Sequence, residues 1–209
     1  MAGKFIVLEG IDGSGKGEQV KRLQNFLFEL DKRNVVLTTR EPTYGKYGML
    51  IRKHLKEDSD PRENAKLMLE LYSKDRKDHL DTLVLPVLSR ESGEMKHFVL
   101  SDRYYHSTYA FQRAQGNSFE DIHNIQEQFR KPDITIIIDV TAETAMERIN
   151  KGRDSSEKFE QLEFMKILRQ NYLDLKNLLD ENIVIVDGSR SREEVFEDIK
   201  NIINGVISR

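Results

Sequence analysis

The chain has 209 residues, with 33 Lys and Arg against 36 Asp and Glu, so its formal net charge is −3. That length favours a single domain, and the weak negative charge argues against nucleic acid or an anionic membrane as the main partner. The chain has no cysteine, which excludes disulfides, thiolate zinc sites and a cysteine nucleophile and is typical of a cytoplasmic protein. No apolar run approaches the roughly 18 residues of a membrane-spanning helix.

Five short, β-branched apolar runs predict strands at residues 5–9, 35–39, 97–102, 134–140 and 183–187. They are continuous rather than alternating, which indicates strands covered on both faces. Helical patterns lie between them, at residues 18–31, 48–56, 62–89, 105–115, 119–129, 142–151, 160–179 and 192–207. This alternation predicts an α/β fold, with a five-stranded parallel sheet and helices on both faces.

Two segments interrupt the helical patterns. Pro86 lies inside the pattern at 62–89, and we expect it to end or kink the helix there. Residues 150–161, with the sequence NKGRDSSEKFEQ, are polar and rich in charge. This composition predicts a mobile loop between two helices.

The segment GIDGSGKG, residues 10–17, follows the first predicted strand and opens the first predicted helix. Glycines at this point let backbone N–H groups curl around phosphate oxygens, and the helix N-terminus adds partial positive charge. Lys16 adds a full charge for the outer phosphates. The segment therefore predicts a phosphate-binding loop, except that Gly17 stands where such loops place a Ser or Thr hydroxyl near Mg²⁺.

Other segments narrow the class of phosphate-binding protein. The nearest match to a guanine-reading N-K-x-D motif is NKGR, residues 150–153, in which Arg153 replaces the required Asp. An ATP-driven motor would place an acidic pair after the third strand, but Asp102 is followed there by Arg103. Both observations favour a kinase over a switch or a motor.

Five segments, taken in order, resemble the thymidylate kinase family. They are FIVLEGIDGSGK (5–16), TTREPTYGKYG (38–48), LYSKDR (71–76), DRYYHSTYAFQ (102–112) and PDITIIIDVTAETAMERINKGR (132–153). The resemblance implies a three-layer P-loop kinase fold, one P-loop kinase domain over residues 1–209, and a short lid at residues 150–161. It also implies transfer of the γ-phosphate of ATP to dTMP.

The resemblance assigns the binding residues as follows. ATP is implied to contact Gly10, Ile11, Asp12, Gly13, Ser14, Gly15, Lys16, Gly17, Arg148 and Lys158. The acceptor dTMP is implied to contact Asp12, Arg40, Glu41, Pro42, Arg52, Tyr72, Arg76, Arg103, Thr108, Phe111 and Gln112. Among these, Tyr72 would stack on thymine, Arg76 would hydrogen-bond the base, and Arg103 would hold the acceptor phosphate with help from Arg40 or Arg52. Asp102 would help to organise Mg²⁺ through water.

The residues assigned to catalysis are Lys16, Asp12, Arg103 and Arg153. In this family either the phosphate loop or the lid carries the cation that reaches the transferring group. Here Gly13 and Ser14 occupy the loop, so the resemblance implies that the lid supplies the charge, through Arg153 first and Lys158 second. A phosphate monoester acceptor is already an anion, so the chemistry needs cations and positioning rather than a catalytic base.

Several alternatives stay open at this point. The enzyme could act on another nucleotide or on a deoxynucleoside, and Gly17 also suits a nucleotide-binding module without transfer activity. Tyr72 could be a core residue, Arg76 could form a surface ion pair with Asp75 or Glu70, and the lid charges could be solvated only. The expected partners are ATP, dTMP, Mg²⁺ and a second copy of the chain in a homodimer, as in other family members.

Overall fold

The computed structural model describes residues 3–57, 64–90, 93, 95–149 and 155–208, and for residues 155–160 it describes the backbone alone. Within these ranges five strands form one parallel sheet in the order β2-β3-β1-β4-β5. The strands are β1 (Lys4–Glu9), β2 (Val35–Arg40), β3 (His97–Asp102), β4 (Ile134–Asp139) and β5 (Ile183–Asp187).

Helices connect the strands and cover the sheet. They are α1 (Lys16–Leu30), α2 (Lys46–Glu57), α3 (Ala65–His79), α4 (Leu85–Leu88), α5 (Tyr105–Ala114), α6 (Phe119–Gln126), α7 (Ala142–Ile149), α8 (Ser155–Leu178) and α9 (Arg192–Ile207). A π-helical turn at Leu80–Val84 joins α3 to α4. None of the helices in the described ranges combines the length and the apolar character that crossing a bilayer requires.

Two hydrophobic cores lie on opposite faces of the sheet. In β1, Phe5 and Val7 point into the core that α5 and α8 cover, whereas Ile6 and Leu8 point into the core that α1 and α9 cover. All four side chains are fully buried. A strand whose successive side chains enter two different cores must be apolar at every position, which explains its continuous apolar run.

The structure confirms the predicted α/β fold with a five-stranded parallel sheet and helices on both faces. Parallel strands bring their carboxyl ends to one edge, and the register shows which residues meet there: Leu8 of β1 and Arg40 of β2 both lie beside Asp102 of β3. The segment that follows β1 therefore begins next to Asp102, with Arg40 one strand further along the same edge. This edge is where α/β proteins of this kind bind ligands.

One prediction about the helices was wrong. Helix α8 begins at Ser155 rather than at residue 160, so most of the predicted loop at 150–161 is helical. At Pro86, which was expected to end or kink the helix, the regular α-helix is interrupted: the Leu85 N–H donates to Leu80 O, five residues back, so a π-helical turn precedes the proline. Pro86 then lies in the first turn of α4, where its missing N–H costs least.

Candidate active site

The loop at residues 10–17 has the backbone that only glycine adopts readily. Gly10, Gly13 and Gly15 have φ values of 139°, 81° and 98°. A Cβ at Gly10 would lie 2.5 Å from Ile138 O, and one at Gly13 would lie 2.5 Å from Ala145 O. Two of the glycines are thus required both by backbone conformation and by close approach of β4 and α7.

Lys16 lies at the start of α1 and its side chain is buried. Its Nζ donates to Gly10 O at 2.9 Å and to Ile11 O at 3.0 Å, so the ammonium group is held by the loop itself. Burial, together with the nearby charge of Arg103, lowers the Lys16 pKa to about 7. Phosphate oxygens bound in the loop would place negative charge beside Lys16 and so favour its charged, ammonium form.

A cavity of about 550 Å³ opens above the loop. Of the predicted ATP-binding residues it is lined by Asp12, Gly13, Ser14, Gly15, Lys16, Gly17 and Arg148. Gly10 and Ile11 are not among its lining residues; their carbonyl groups accept from Lys16 Nζ. We refer to this cavity as the nucleotide cavity.

The nucleotide cavity also contains residues that the sequence analysis missed, among them Gln19, Gly188, Arg190 and Arg192. The last three follow β5, whose carboxyl end lies at the same edge of the sheet, so strand order was the signal that could have indicated them. Arg148 bridges the two parts of the wall, since it donates to Gly13 O at 3.4 Å and to Gly188 O at 3.1 Å.

Arg103 follows β3 and has a φ of 76°, the only positive value for a non-glycine residue in the described ranges. Its Nη2 donates to Asp12 Oδ1 at 2.7 Å, and its Nη1 donates to Ser107 Oγ at 3.0 Å and to Tyr172 OH at 2.7 Å. These bonds use three of its five N–H groups and fix the guanidinium plane. The other two have no partner among the described residues.

The electrostatics of this pair favour two charged groups. Burial disfavours the charge on Arg103, but Tyr172, Asp12 and Glu9 outweigh it and raise the Arg103 pKa above its ordinary value. Partial burial likewise favours a neutral Asp12, but Arg103 and Lys16 outweigh it and lower the Asp12 pKa. Arg103 is therefore a permanent, oriented cation beside the phosphate loop.

A second cavity, of about 340 Å³, adjoins the first, and we refer to it as the acceptor cavity. All eleven residues predicted to contact dTMP line it: Asp12, Arg40, Glu41, Pro42, Arg52, Tyr72, Arg76, Arg103, Thr108, Phe111 and Gln112. Leu55, Met68, Tyr104, Ser107 and Gln115 also line it and were not predicted. Asp12, Arg40 and Arg103 line both cavities, so the two cavities meet at these three residues.

Arg76 is buried, which excludes the alternative of a surface ion pair with Asp75 or Glu70. Its Nε and Nη2 donate to Glu41 Oε2 at 2.9 and 2.7 Å, and Nη2 also donates to Thr108 Oγ1 at 3.1 Å. Its Nη1 donates to Gln126 Oε1. One N–H, on Nη1, is left without a partner among the described residues, so Arg76 can offer a ligand a single hydrogen bond.

Glu41 is the buried carboxylate that holds the guanidinium group of Arg76 in place. Its second oxygen, Oε1, lies 2.9 Å from His79 Nδ1, and His79 Nε2 lies 2.7 Å from Thr39 Oγ1. Asp75, which sequence proximity suggested as the partner of Arg76, instead accepts from the Thr43 N–H at 2.7 Å and from the Thr43 hydroxyl at 2.5 Å. Glu41 thus lines the acceptor cavity with both oxygens already engaged.

Tyr72 and Arg52 complete the wall opposite α5. Tyr72 is half-buried, and burial raises its pKa to about 12, so its phenol is neutral. Arg52 donates to Pro42 O at 2.5 Å and lies over the Tyr44 ring, 4.5 Å from its centroid. The buried Nε of Arg52 has no partner among the described residues, which leaves a cationic donor at the cavity.

Asp102 and Gly17 lie side by side below the nucleotide cavity. Asp102 Oδ1 is buried without a hydrogen-bond partner in the described part of the chain, as an oxygen kept for a cation or its water would be. The described ranges hold no group of three His, Asp or Glu side chains that could bind a metal by themselves. These residues fit Mg²⁺, which keeps several waters and takes phosphate ligands.

Gly17 has room for a side chain. A Cβ there would meet only Asp102 Oδ2, at 3.9 Å, which is ordinary van der Waals contact. The absence of the usual hydroxyl therefore does not reflect a steric requirement. The lid residue Arg153 lies outside the described residues, and so does the side chain of Lys158.

A phosphate-binding loop at the carboxyl edge of a parallel sheet, with two cavities that meet at shared cations, defines a P-loop kinase. The thymidylate kinase family model matches residues 8–199. A protein named "Probable thymidylate kinase" from Pyrococcus abyssi is 36% identical over 206 residues, which cover 97% of each chain. Proteins of the same name from Pyrobaculum aerophilum and Methanococcoides burtonii are 37% and 35% identical, and the alignments cover 97% and 99% of each chain. The chain belongs to the thymidylate kinase family, which confirms the resemblance and the predicted dTMP kinase activity.

Proposed function

We propose that this protein transfers the γ-phosphate of ATP to dTMP through the residues described above. The observation that carries the proposal is the meeting of the two cavities at Asp12, Arg40 and Arg103. ATP in one cavity and a nucleoside monophosphate in the other would bring their phosphates together at this junction. Arg40 and Arg103 supply positive charge at the junction, Arg52 adds a charge in the acceptor cavity, and Lys16 adds one in the nucleotide cavity once phosphates are bound.

The arrangement meets the requirements of phosphoryl transfer between two anions. The attacking oxygen of a monophosphate is already ionised, so the reaction needs no catalytic base. Its main needs are neutralisation of charge and alignment of the two phosphates. Arg103 meets both needs, since Asp12, Ser107 and Tyr172 fix its guanidinium and leave two N–H groups for phosphate oxygens.

On the acceptor side, Tyr72 would stack on the base and Arg76 would donate its remaining Nη1 N–H to it. Arg103 would hold the phosphate together with Arg40 or Arg52. Phe111 would bring bulk against C2′ of the sugar and so disfavour ribose. Asp12, Pro42, Thr108 and Gln112 line the same cavity and would complete the contacts, with Glu41 acting through Arg76.

On the donor side, the loop residues and Lys16 would bind the ATP phosphates, and Arg148 would pack on adenine. Arg190 and Arg192 extend the wall of the nucleotide cavity beyond Arg148. We propose that the lid at residues 150–161 supplies the cation that stabilises the transition state. Arg153 is the first candidate for this cation and Lys158 is the second. Closing of the lid would exclude water, which would otherwise accept the phosphate.

Mg²⁺ would bind with Asp102, through water, and with the phosphates of ATP. When bound, it neutralises negative charge on the transferring group. Asp102 presents its unpartnered Oδ1 for this purpose, and Gly17 leaves space for a water in place of the missing hydroxyl.

Three further expectations concern the whole protein. We propose a single domain over residues 1–209 and a cytoplasmic location, where ATP and nucleoside monophosphates occur together. We also propose a homodimer, as the family resemblance implies. Met49 and Leu50 on α2 and Leu67 on α3 are exposed apolar side chains that a second copy could cover.

The test of the function is an ADP-release assay across a panel of nucleosides and nucleoside monophosphates, with ATP as donor. We expect dTMP to give the highest kcat/KM. A different preferred acceptor would favour another P-loop kinase activity. ATP binding without transfer to any acceptor would favour a nucleotide-binding module.

A further inference from the structure

Gln112 and Asn117 form a hydrogen-bonded pair behind the acceptor cavity. The side chain of Gln112 is buried, and its Oε1 accepts from Asn117 Nδ2 at 2.9 Å. The same Nδ2 also approaches the backbone carbonyl of Gln112 at 3.4 Å. Two acceptors on Gln112 therefore face the amide nitrogen of Asn117, and the opposite orientation of the Asn117 amide is disfavoured because it would place its oxygen near the backbone carbonyl oxygen of Gln112.

This pair decides which end of the Gln112 amide faces the ligand. Because Oε1 is held by Asn117, the Nε2 group is the end left over, and it donates to no other described residue. Gln112 lines the acceptor cavity, one helical turn after Thr108. The amide therefore presents an N–H donor to whatever binds there.

Arg76 is fixed in the same way, by acceptors behind it. Glu41 and Gln126 accept its N–H groups from one side, and Thr108 Oγ1 accepts another. Thr108 and Gln112 lie on the same face of α5, so Arg76 and Gln112 stand at the same end of the cavity.

We propose that Asn117 is a positioning residue that determines base specificity. By turning the Gln112 amide so that its NH₂ group faces the acceptor, it places a second donor at this end of the cavity, beside the free N–H of Arg76. Two donors here favour a pyrimidine that presents a carbonyl oxygen to them over one that presents an exocyclic amine, because in the second case donors would face each other. This inference rests on the proposed function and explains how the same site selects its acceptor.

The size of the effect follows from the chemistry of an unpaired buried donor. Leaving such a donor opposite an amine lowers affinity by about 10- to 100-fold. Discrimination of that size between dTMP and dCMP would be lost if the Gln112 amide turned over. Asn117 does not itself line the acceptor cavity, so its substitution tests orientation rather than contact.

The decisive variant is Asn117→Asp. A carboxylate has only acceptors, so the Gln112 amide would turn to donate Nε2 to residue 117 and would present Oε1 to the base. We expect the ratio of kcat/KM for dCMP to kcat/KM for dTMP to rise about 10-fold or more, mostly through KM, with the KM for ATP unchanged. Asn182→Asp is the matched control, because Asn182 makes a similar side-chain bond, to Asp133 O at 3.0 Å, away from the cavity.

A second set of variants, made in the Gln112→Met background, distinguishes an effect of the Gln112 amide orientation from general damage to the acceptor cavity. In Gln112→Met, which has no amide to turn, adding Asn117→Asp should leave the dCMP to dTMP ratio unchanged. Should Asn117→Asp fail to fold, Asn117→Ala carries the test, since it frees the amide to take both orientations and should raise the ratio by a smaller factor.

The proposal is overturned if the folded Asn117→Asp or Asn117→Ala enzyme keeps the wild-type ratio, or if the ratio changes equally in the Gln112→Met background. Failure of the proposed function looks different. In that case the wild-type enzyme itself would not phosphorylate dTMP, and no ratio could be formed.

Discussion

Arg103 donates from Nη2 to Asp12 Oδ1 at 2.7 Å, and this bond joins the end of β3 to the phosphate-binding loop. Both residues line the nucleotide cavity and the acceptor cavity. The loop that binds one substrate is thereby tied to the cation proposed to bind the phosphate of the other.

Asp12 accepts from Arg103, and the family resemblance implies that it also approaches the 3′-hydroxyl of the acceptor. We predict that Asp12→Asn lowers kcat/KM for dTMP and narrows the preference for dTMP over its 3′-deoxy analogue. Loss of one charge-assisted hydrogen bond corresponds to about 1.5–3 kcal/mol, or roughly 10- to 150-fold. Steady-state kinetics of both enzymes with both acceptors measure this. If the preference for dTMP over its 3′-deoxy analogue is unchanged in Asp12→Asn, Asp12 positions Arg103 and makes no bond to the 3′-hydroxyl.

The lowered pKa of Lys16, about 7, predicts proton uptake when ATP binds. In the free protein above pH 7 most Lys16 side chains are neutral, whereas bound phosphates favour the ammonium form and raise the pKa. Binding should therefore take up close to one proton per ATP at pH 8 and close to none at pH 6. Calorimetry in buffers of different ionisation enthalpy measures the uptake.

The control for this prediction is Lys16→Arg, whose guanidinium stays protonated at both pH values. Uptake at pH 8 should disappear in this variant. If the wild type takes up no proton at pH 8, Lys16 is already charged before ATP binds, and burial does not lower its pKa to about 7.

The space at Gly17 predicts that a hydroxyl can be restored. A Cβ there lies 3.9 Å from Asp102 Oδ2 and has no closer neighbour. Gly17→Ser should stay active and reach half-maximal rate at a lower Mg²⁺ concentration. Asp102→Asn should lower kcat by at least about 10-fold, or 1.4 kcal/mol, with partial rescue by excess Mg²⁺.

A magnesium titration of the rate for wild type and both variants checks these statements. An inactive but folded Gly17→Ser would mean that the loop needs glycine at this position. If the rate of Asp102→Asn depends on Mg²⁺ as that of the wild type does, another carboxylate organises the metal. The next residues to test are then Glu9, Asp12 and Glu18. Glu9 is the least suited of these, since it accepts from Tyr104 N and from both donors of Ser107.

Arg76 is expected to matter for both acceptor binding and stability. Arg76→Ala should raise the KM for dTMP and leave the KM for ATP nearly unchanged. It also leaves Glu41 buried without its cation, which should cost about 3–5 kcal/mol of unfolding free energy. Arg76→Lys keeps the charge and loses the paired N–H groups. It should recover stability more than dTMP affinity, as denaturant unfolding and kinetics on the same samples would show.

Equal recovery of stability and dTMP affinity in Arg76→Lys would contradict this account. It would mean that Arg76 acts on the acceptor only by keeping the cavity folded.

The sequence was sufficient to predict the sheet, because β1, β3 and β4 are largely buried on both faces and their apolar runs are recognisable. The edge strands β2 and β5 are more exposed and were recognisable by their β-branched residues. The sequence was less informative for helix α8. Residues such as Ser156 and Glu157 suit the first turn of a helix as well as a loop, and their polar character led to the prediction of a loop. The sequence-based start of this helix was five residues late for that reason.

Within the site, the sequence indicated the lining residues but not their partners. The sequence left open a surface ion pair of Arg76 with Asp75 or Glu70, two carboxylates of the same helix. The actual partner of Arg76, Glu41, lies 35 residues away and reaches it only because β2 ends beside α3. The Gln112–Asn117 pair was hidden for a related reason, since side-chain orientation depends on a turn after α5 that no motif describes.

The proposed monophosphate site is tested by comparing dTMP with thymidine as acceptor, under saturating ATP and Mg²⁺. We expect kcat/KM for dTMP to exceed that for thymidine by on the order of 100-fold or more, because Arg103 and its neighbours bind a phosphate that thymidine lacks. If thymidine is phosphorylated as well as dTMP, or better, the acceptor cavity is not a site for a nucleoside monophosphate.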